Sequence, residues 1–132
     1  MANIAQYASK ALLDWICGGA SPTQPTTRGI GLSLGVPSSI SASEVGAASG
    51  YTRQTVTFGA AGTPTSSGTV TNANAMTFGP FSTAQSISGL VVADTLAAGG
   101  NLLFYGTLTT ARTVQPGDSL VIAVAALTIT LA

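Results

Sequence analysis

The ionisable side chains of this sequence are too few and too scattered to build an ordinary active site. General acid–base catalysis needs titratable groups gathered in one pocket, and a Ser-His-Asp triad needs a histidine, which the chain lacks. Asp94 and Asp118 each stand beside turn residues, where a carboxylate more often caps a loop. We therefore predict no catalytic residues. The eight formal charges are Lys10, Arg28, Arg53, Arg112, Asp14, Glu44, Asp94 and Asp118.

Cys17 is the single cysteine, which excludes an intrachain disulfide. Without a histidine to act as its base, the thiol is best interpreted as a small buried apolar group at a helix end. One cysteine and no histidine also leave no zinc site of the ordinary ligand type. The glycine-rich pieces at 29–31 and 99–100 lack the lysine and the strand-to-helix context of a phosphate loop. We therefore predict no metal and no cofactor.

The charge balance narrows the range of partners. Charged residues make up 6% of the chain and the net charge is zero, against about 25% charged residues in an ordinary domain. The mean hydropathy is +0.47, so little keeps free copies apart and such surfaces associate. Four scattered cations cannot form the basic patch that nucleic acid requires. We predict contact with copies of itself, as a dimer or trimer, and no nucleic-acid partner.

The sequence also argues against a membrane partner. The longest apolar run, Leu120 to Leu131, is interrupted by Thr128 and Thr130 and is shorter than the roughly 20 residues of a spanning helix. The N-terminus carries Asp14 and has no basic opening followed by an unbroken apolar stretch, so it does not resemble a signal peptide. We expect synthesis in the cytoplasm and no membrane partner.

One helix is predicted, from Asn3 to Ile16, with Asn3 as its possible N-cap and Gly18 at its C-terminal end. A helix this short is marginal alone, so its apolar stripe must dock on something. It either covers an open end of the remaining domain or reaches a neighbouring subunit. We therefore divide the chain into a helix, residues 1–19, and one β-domain, residues 20–132. The stripe consists of Ile4, Tyr7, Ala8, Ala11, Leu12 and Trp15.

After the proline-containing linker the apolar pattern changes from a helical period to a period of two. Ile30, Leu32 and Leu34 alternate with glycine and serine, which is typical of a strand with one packed face. Surface loops are predicted at Pro37 to Gly50, pinned by Ile40 and Val45, and at Gly59 to Ser67. Turns are predicted at Gly99-Gly100-Asn101 and Pro116-Gly117-Asp118. The other predicted strands are Thr52 to Phe58, Thr69 to Thr71, Ala75 to Phe78, Ser86 to Ala93, Asn101 to Leu108, Arg112 to Val114, and one or two within Ser119 to Leu131.

About eight short strands and one N-terminal helix indicate an all-β fold, a β-sandwich or jelly roll, with a closed barrel as the remaining alternative. In Leu120 to Ala126 both alternating faces are apolar, so this segment needs cover on both sides. Arg53 and Arg112 are interpreted as edge guards or subunit contacts. The large residues predicted to anchor the core are Trp15, Tyr51, Phe58, Phe78, Phe81, Phe104 and Tyr105.

Four segments, taken in order, resemble a family of small tailed-phage virion proteins. They are Leu12-Leu13-Asp14-Trp15, the run from Gly50 to Phe58, the run from Asn74 to Phe78, and the run from Gly99 to Leu108 that continues to Gly117-Asp118. Some members of that family are described as tail-fibre proteins, and others look like jelly-roll head-decoration or cement proteins. The resemblance implies a structural role and no catalytic residues.

Three functional hypotheses follow. The first is a capsid cement protein on the capsid exterior of the virion, which bridges neighbouring copies of the major capsid protein and stabilises the head shell. The alternative is a tail-fibre or tail-tip component that binds the host surface through exposed loops. The third, ranked last because the chain offers so few acidic groups, is a small hydrolase of envelope polysaccharide.

Overall fold

Antiparallel strands dominate residues 2–60 and 68–131, the parts of the chain described in the computed structural model of the protein. The predicted all-β class with a single N-terminal helix is confirmed. The strands are β1 (Ala2–Ile4), β2 (Gly29–Ser33), β3 (Gln54–Thr55), β4 (Gly68–Thr71), β5 (Met76–Phe78), β6 (Gln85–Ala93), β7 (Leu102–Val114), β8 (Leu120–Ile122) and β9 (Thr128–Leu131). Helix α1 is Gln6–Ile16, and a short 3-10 turn is Ala47–Ser49.

Three sheets surround one apolar core. The largest has five strands in the order β1-β7-β6-β2-β3, and the two small sheets are the pairs β4-β9 and β5-β8. Ile30 and Leu32 on β2 are fully buried, as is Phe78 on β5, so the large and small sheets pack on a shared interior. The further buried members of this core are Val45, Tyr51, Val56, Met76, Phe81, Ile87, Val92, Leu103, Val114 and Ile129.

Strand β2 is buried on both faces, whereas its sequence pattern predicts one packed face. All five of its residues are buried, and Leu34, predicted to continue the strand, lies outside it and is 42% exposed. The two positions that flank Ile30, Gly29 and Gly31, carry no side chain because other parts of the chain press against them. A Cβ on Gly29 would lie 2.4 Å from the Thr95 carbonyl oxygen, far inside contact distance.

Strand β7 joins two segments that the sequence presents as separate strands. It pairs with β6 through Ile87 opposite Arg112 and Gly89 opposite Thr107, so three extra residues bulge from β7 within 108–111. The predicted break between Leu108 and Arg112 corresponds to this bulge. On its other edge β7 pairs with β1 only over residues 104–106. Within the described ranges, the part of that edge beyond residue 106 has no partner strand.

The N-terminal residues form a strand before they form a helix, so the prediction of Asn3 as an N-cap is wrong. Asn3 lies in β1 opposite Tyr105, and Ala5 takes the N-cap position of α1 without a side-chain cap bond. At the other end Gly18 adopts a φ of +86°, and the Gly19 N–H donates to the Asp14 carbonyl. This closure is the left-handed glycine ending that the sequence predicts.

Cys17 is exposed, so its interpretation as a buried apolar residue is wrong. The error has a simple cause, since no residue of α1 is buried against the domain. Ala8 is only half-buried where it packs on the core. The helix therefore rests on the sheet by its small residues, and its larger side chains point elsewhere.

Asn72 holds the segment that follows β8 in place. Its side chain is 1% exposed, its amide nitrogen donates to the Ala123 carbonyl oxygen at 2.8 Å, and its amide oxygen accepts from the Leu127 N–H at 2.8 Å. Ala125 within this segment has a φ of +61°. Of the one or two strands predicted within Ser119 to Leu131, the structure has two, β8 and β9, because the chain turns around Asn72 between them.

The loops are close to their predicted positions. Val45 is buried and holds the Pro37 to Gly50 segment, whereas Ile40 is 74% exposed and does not pin it. Of the predicted loop from Gly59 to Ser67, Gly59 and Ala60 are exposed, and residues 61–67 lie outside the described residues.

We expect replacement of Asn72 by alanine to lower the free energy of unfolding by about 2 kcal/mol, because the Leu127 N–H and the Ala123 carbonyl lose a buried partner. Urea denaturation monitored by circular dichroism measures the change. The matched control is Asn3→Ala, since Asn3 is exposed and such changes stay within about 0.5 kcal/mol. Equal stability of the two variants would contradict this account of the turn.

Candidate assembly surfaces

A buried polar cluster, formed by Glu44, Tyr51 and Arg53, organises one edge of the large sheet. The Arg53 side chain is 4% exposed and that of Glu44 is 18% exposed. Arg53 Nε donates to Glu44 Oε1 at 2.8 Å and Arg53 Nη2 donates to Oε2 at 2.7 Å. This two-bond geometry is the strongest that arginine and a carboxylate form. The interpretation of Arg53 as an edge guard or subunit contact is therefore wrong, because Arg53 is an interior ion-pair residue.

The third guanidinium nitrogen of Arg53 fastens the turn between β6 and β7. Its Nη1 donates to the carbonyl oxygens of Thr95, Ala97 and Gly99 at 3.0, 2.8 and 2.9 Å. Only a guanidinium offers enough donors in one plane to hold a carboxylate and this turn together. Arg53 thus joins two parts of the chain that are more than forty positions apart.

Tyr51 ties the same cluster to β2 and to the core. Its hydroxyl donates to Glu44 Oε1 at 2.6 Å and accepts the Leu32 N–H at 3.0 Å, which takes the place of a strand partner at that edge. Its ring lies 6.0 Å from that of Phe78. A Cβ on Gly31 would lie 2.6 Å from Glu44 Oε1, so the cluster requires a glycine in the strand.

The charges of the cluster compensate one another within the fold. Burial alone would raise the pKa of the Glu44 carboxyl, but hydrogen bonds from Arg53 and Tyr51 and the guanidinium charge outweigh it, so that pKa lies below its ordinary value of 4.5. Burial and the hydrogen bond to Glu44 raise the pKa of the Tyr51 phenol. The hydrogen bond to Glu44 raises the pKa of Arg53. Each group is held in its ordinary charge state, which suits a structural role.

The remaining acidic residues serve turns and the helix, as predicted for Asp94 and Asp118. Asp94 Oδ1 accepts the Asn101 N–H at 2.8 Å, and Asp118 Oδ2 accepts the Gln115 N–H at 2.9 Å. Asp14 pairs with Lys10 one turn earlier in α1. In the described part of the chain, no three histidine, cysteine or acidic side chains are grouped as a metal site would need.

The C-terminal half of α1 exposes four large apolar side chains, which we call the α1 end. Leu12, Leu13, Trp15 and Ile16 are 37, 60, 57 and 65% exposed. Residues three and four apart are neighbours on a helix, so these side chains form one patch. Trp15, predicted to anchor the core, does not reach it.

An open groove with apolar side chains along its floor and polar ones beside them, which we call the seam groove, runs between β7 and the segment from β8 to β9. One part has a volume of about 770 Å³. A second part of about 290 Å³ shares Leu90, Leu108 and Leu127 with the first, so the two are continuous. The bulged residues Thr109 and Thr110 form its rim. Those leucines are only half-buried, so the apolar core is accessible from this side.

Only one of the two apolar faces of β8 is covered within the chain. Leu120 and Ile122 are half-buried, whereas Val121, which also lines the groove, is 61% exposed and Val124 is 56% exposed. The aromatic residues predicted to anchor the core differ in how deeply they are buried. Tyr51, Phe78 and Phe81 are buried, and Phe58, Phe104 and Tyr105 are half-buried.

The model of the Podophage GP4 fiber I protein gp80 family matches residues 3–130. Because the match covers nearly the whole chain, the chain belongs to this family. The expected membership of a tailed-phage virion protein family is thereby confirmed. No curated protein matches the chain. Within the described ranges, no helix is both long enough and apolar enough to cross a bilayer.

Replacement of Arg53 by methionine should lower the free energy of unfolding by about 3 kcal/mol, because it leaves the Glu44 charge largely buried without its partner. Arg53→Lys should cost less, since it keeps the charge but lacks the planar donors. Urea denaturation measures both. The control is Arg112→Met at an exposed position, for which we expect little change. If Arg53→Met were as stable as this control, the cluster would not organise the fold.

The Glu44 carboxyl should make the folding stability of the protein depend on pH in the acidic range. Because its pKa is lowered in the folded chain, its contribution is present above the ordinary value of 4.5 and is lost as pH falls through the folded pKa. We expect the thermal midpoint of the native chain to fall more steeply than that of Glu44→Gln between about pH 5 and pH 2. Parallel curves for the two proteins would contradict the lowered pKa.

Proposed function

We propose that this chain is a non-enzymatic structural subunit of a tailed-phage fibre. The observation that carries the proposal is the match of a fibre-protein family over residues 3–130. The proposal fits the chemistry of the interior, where the buried polar cluster holds two loops and offers no free reactive group. It also fits the exterior, where the α1 end and the seam groove are apolar and uncovered.

The fibre role replaces capsid cement as the preferred hypothesis. Scarce charge and many short strands suit either role, so composition does not separate them. The family description names a fibre protein, which favours the tail-fibre alternative. Contact with the major capsid protein on the capsid exterior accordingly remains a prediction from the sequence.

A rigid domain of this kind suits a fibre because its loops are presented at fixed positions. The loop from Pro37 to Gly50 is held at Val45 and by Glu44, while Val36 and Ile40 beside and within it are 75% and 74% exposed. Loops on a rigid scaffold are where binding residues concentrate. We place the contact of the fibre with the host surface at this loop.

The proposal is tested by locating and counting the chain in purified virions. Immunogold electron microscopy should label the tail region, and quantitative mass spectrometry should find far fewer copies than of the major capsid protein. Label over the whole shell, at a copy number close to that of the major capsid protein, would contradict the fibre role and support cement. Absence of the chain from particles would refute both roles.

A further inference from the structure

An open pocket, which we call the loop pocket, lies where the start of α1, the Pro37 to Gly50 loop and the start of β7 meet. Its volume is about 500 Å³, within the range of about 300 to 1,000 Å³ that is typical of small-molecule sites. Unlike the seam groove, it is lined mainly by polar side chains, together with one exposed aromatic ring. The side chains around it include those of Gln6, Tyr7, Lys10, Ser39, Ile40 and Asn101.

Backbone hydrogen bonds hold the loop side of this pocket. The Gln6 N–H at the start of α1 donates to the Ser39 carbonyl oxygen at 3.1 Å. The Ser38 N–H donates to the Ser41 carbonyl oxygen at 2.8 Å, and the Ser41 N–H donates to Ser38 Oγ at 3.2 Å, so the loop closes into a tight turn. Ser39 and Ile40 are the two central residues of this turn. They are therefore held beside the first turn of α1.

Asp94, which directly follows β6, fixes the opposite side of the pocket. Its Oδ1 accepts the Asn101 N–H and its Oδ2 accepts an N–H of the Asn101 side-chain amide, both at 2.8 Å. Gly100 has a φ of +75°, and a Cβ there would lie 2.7 Å from Asp94 Oδ1, so the turn requires glycine. The Ala5 N–H donates to the Leu103 carbonyl oxygen at 2.9 Å and joins α1 to β7. All sides of the pocket are thus in place before a ligand binds.

Four polar groups of the loop pocket are available to a ligand. Among the described residues, the side-chain amide of Gln6 and the hydroxyls of Tyr7 and Ser39 have no hydrogen-bond partner, and Asn101 keeps its amide oxygen free. Amides and hydroxyls both donate and accept hydrogen bonds. The Tyr7 side chain is 51% exposed, so its ring offers an apolar surface next to these groups.

The chemistry of the lining narrows the class of ligand. Lys10, the cation among the lining residues, is paired with Asp14, which disfavours a strongly anionic ligand. Within the described residues no carboxylate lines the pocket, which disfavours a metal ion. A wholly apolar ligand would leave the amides and hydroxyls without partners. An uncharged ring with hydroxyls at its edge and C–H groups on its face satisfies both kinds of surface, and a neutral hexopyranose has this form.

We propose that the loop pocket binds a neutral sugar of the host surface, with a hexopyranose ring against Tyr7 and its hydroxyls bonded by Gln6, Ser39 and Asn101. The proposal rests on the proposed fibre role and names the ligand class at the loop where that role places the host contact. Ile40, which is 74% exposed, adds an apolar contact at the rim.

Titration of the purified chain with neutral sugars tests the pocket. Saturation-transfer difference NMR with the methyl glycosides of glucose, galactose, mannose and rhamnose should detect binding of at least one of them. Tyr7→Ala should weaken that binding about tenfold, because it removes the aromatic surface. The matched control is Trp15→Ala, since Trp15 is an aromatic residue of the same helix with a similar exposure of 57% and lies outside the pocket. It should leave the affinity unchanged.

A second variant tests the polar side of the pocket and decides the matter if Tyr7→Ala does not fold. Gln6→Ala combined with Ser39→Ala removes two hydrogen-bonding side chains but keeps the backbone bond between these residues. It should weaken sugar binding about tenfold, with an unchanged circular dichroism spectrum. Affinity equal to that of the native chain would overturn the proposal.

Three further results would overturn it. They are binding of none of the four glycosides, equal losses for Tyr7→Ala and Trp15→Ala, and binding of galacturonate or sialyllactose alone, which would mean that a charge selects the ligand. The fibre role is tested separately by the position of the chain in virions. A chain that lies in the tail but binds no sugar would refute the pocket and leave the fibre role intact, whereas a sugar-binding chain that covers the shell would refute the fibre role alone.

Discussion

The scarcity of ionised side chains is the constraint on which the rest of this structure depends. The chain has eight, and Glu44 and Arg53 are paired inside the fold, where they hold the loops against β2. Asp94 and Asp118 each fold a turn. Few ions are therefore left for the exterior, which consists mainly of threonine, serine, alanine and larger apolar residues. Large exposed apolar patches on such an exterior mark interaction surfaces, so the prediction that neighbours cover them follows from this scarcity of ions.

Much of the fold follows from local patterns. The alternation in β6 and the short runs of β4 and β5 predict those strands almost to the residue, since period-two patterns report a sheet face directly. β1 was not predictable, because three residues carry no period and Ala2–Ile4 become a strand only by pairing with β7. The prediction that Cys17 is buried was wrong for a related reason. The apolar stripe of a helix can be read from the sequence. The extent of the domain surface on which the helix packs cannot.

The polar cluster was missed because its members look ordinary one at a time. Arg53 stands in a threonine-rich run and Glu44 in a loop of serine and alanine, so neither signals burial. The available signal was Gly29 and Gly31 inside a strand, where glycine often marks the close approach of another part of the chain. The apolar faces of α1 and β8 were predictable from the sequence, and cover over them by a neighbour stays a prediction, since Trp15 and Val121 are exposed in the isolated chain. The groove was not predictable, since its lining comes from β7 and from the segment between β8 and β9, which only the folded chain brings together.

The most direct test of the central claim is the fluorescence of Trp15, the single tryptophan of the chain. It is 57% exposed in the isolated chain and belongs to the α1 end, an apolar patch of the kind that we expect a neighbour to cover. As the concentration of the purified protein rises, its emission should shift to shorter wavelength and its quenching by acrylamide should fall. An indole that stays as accessible at high concentration as at low would contradict the account.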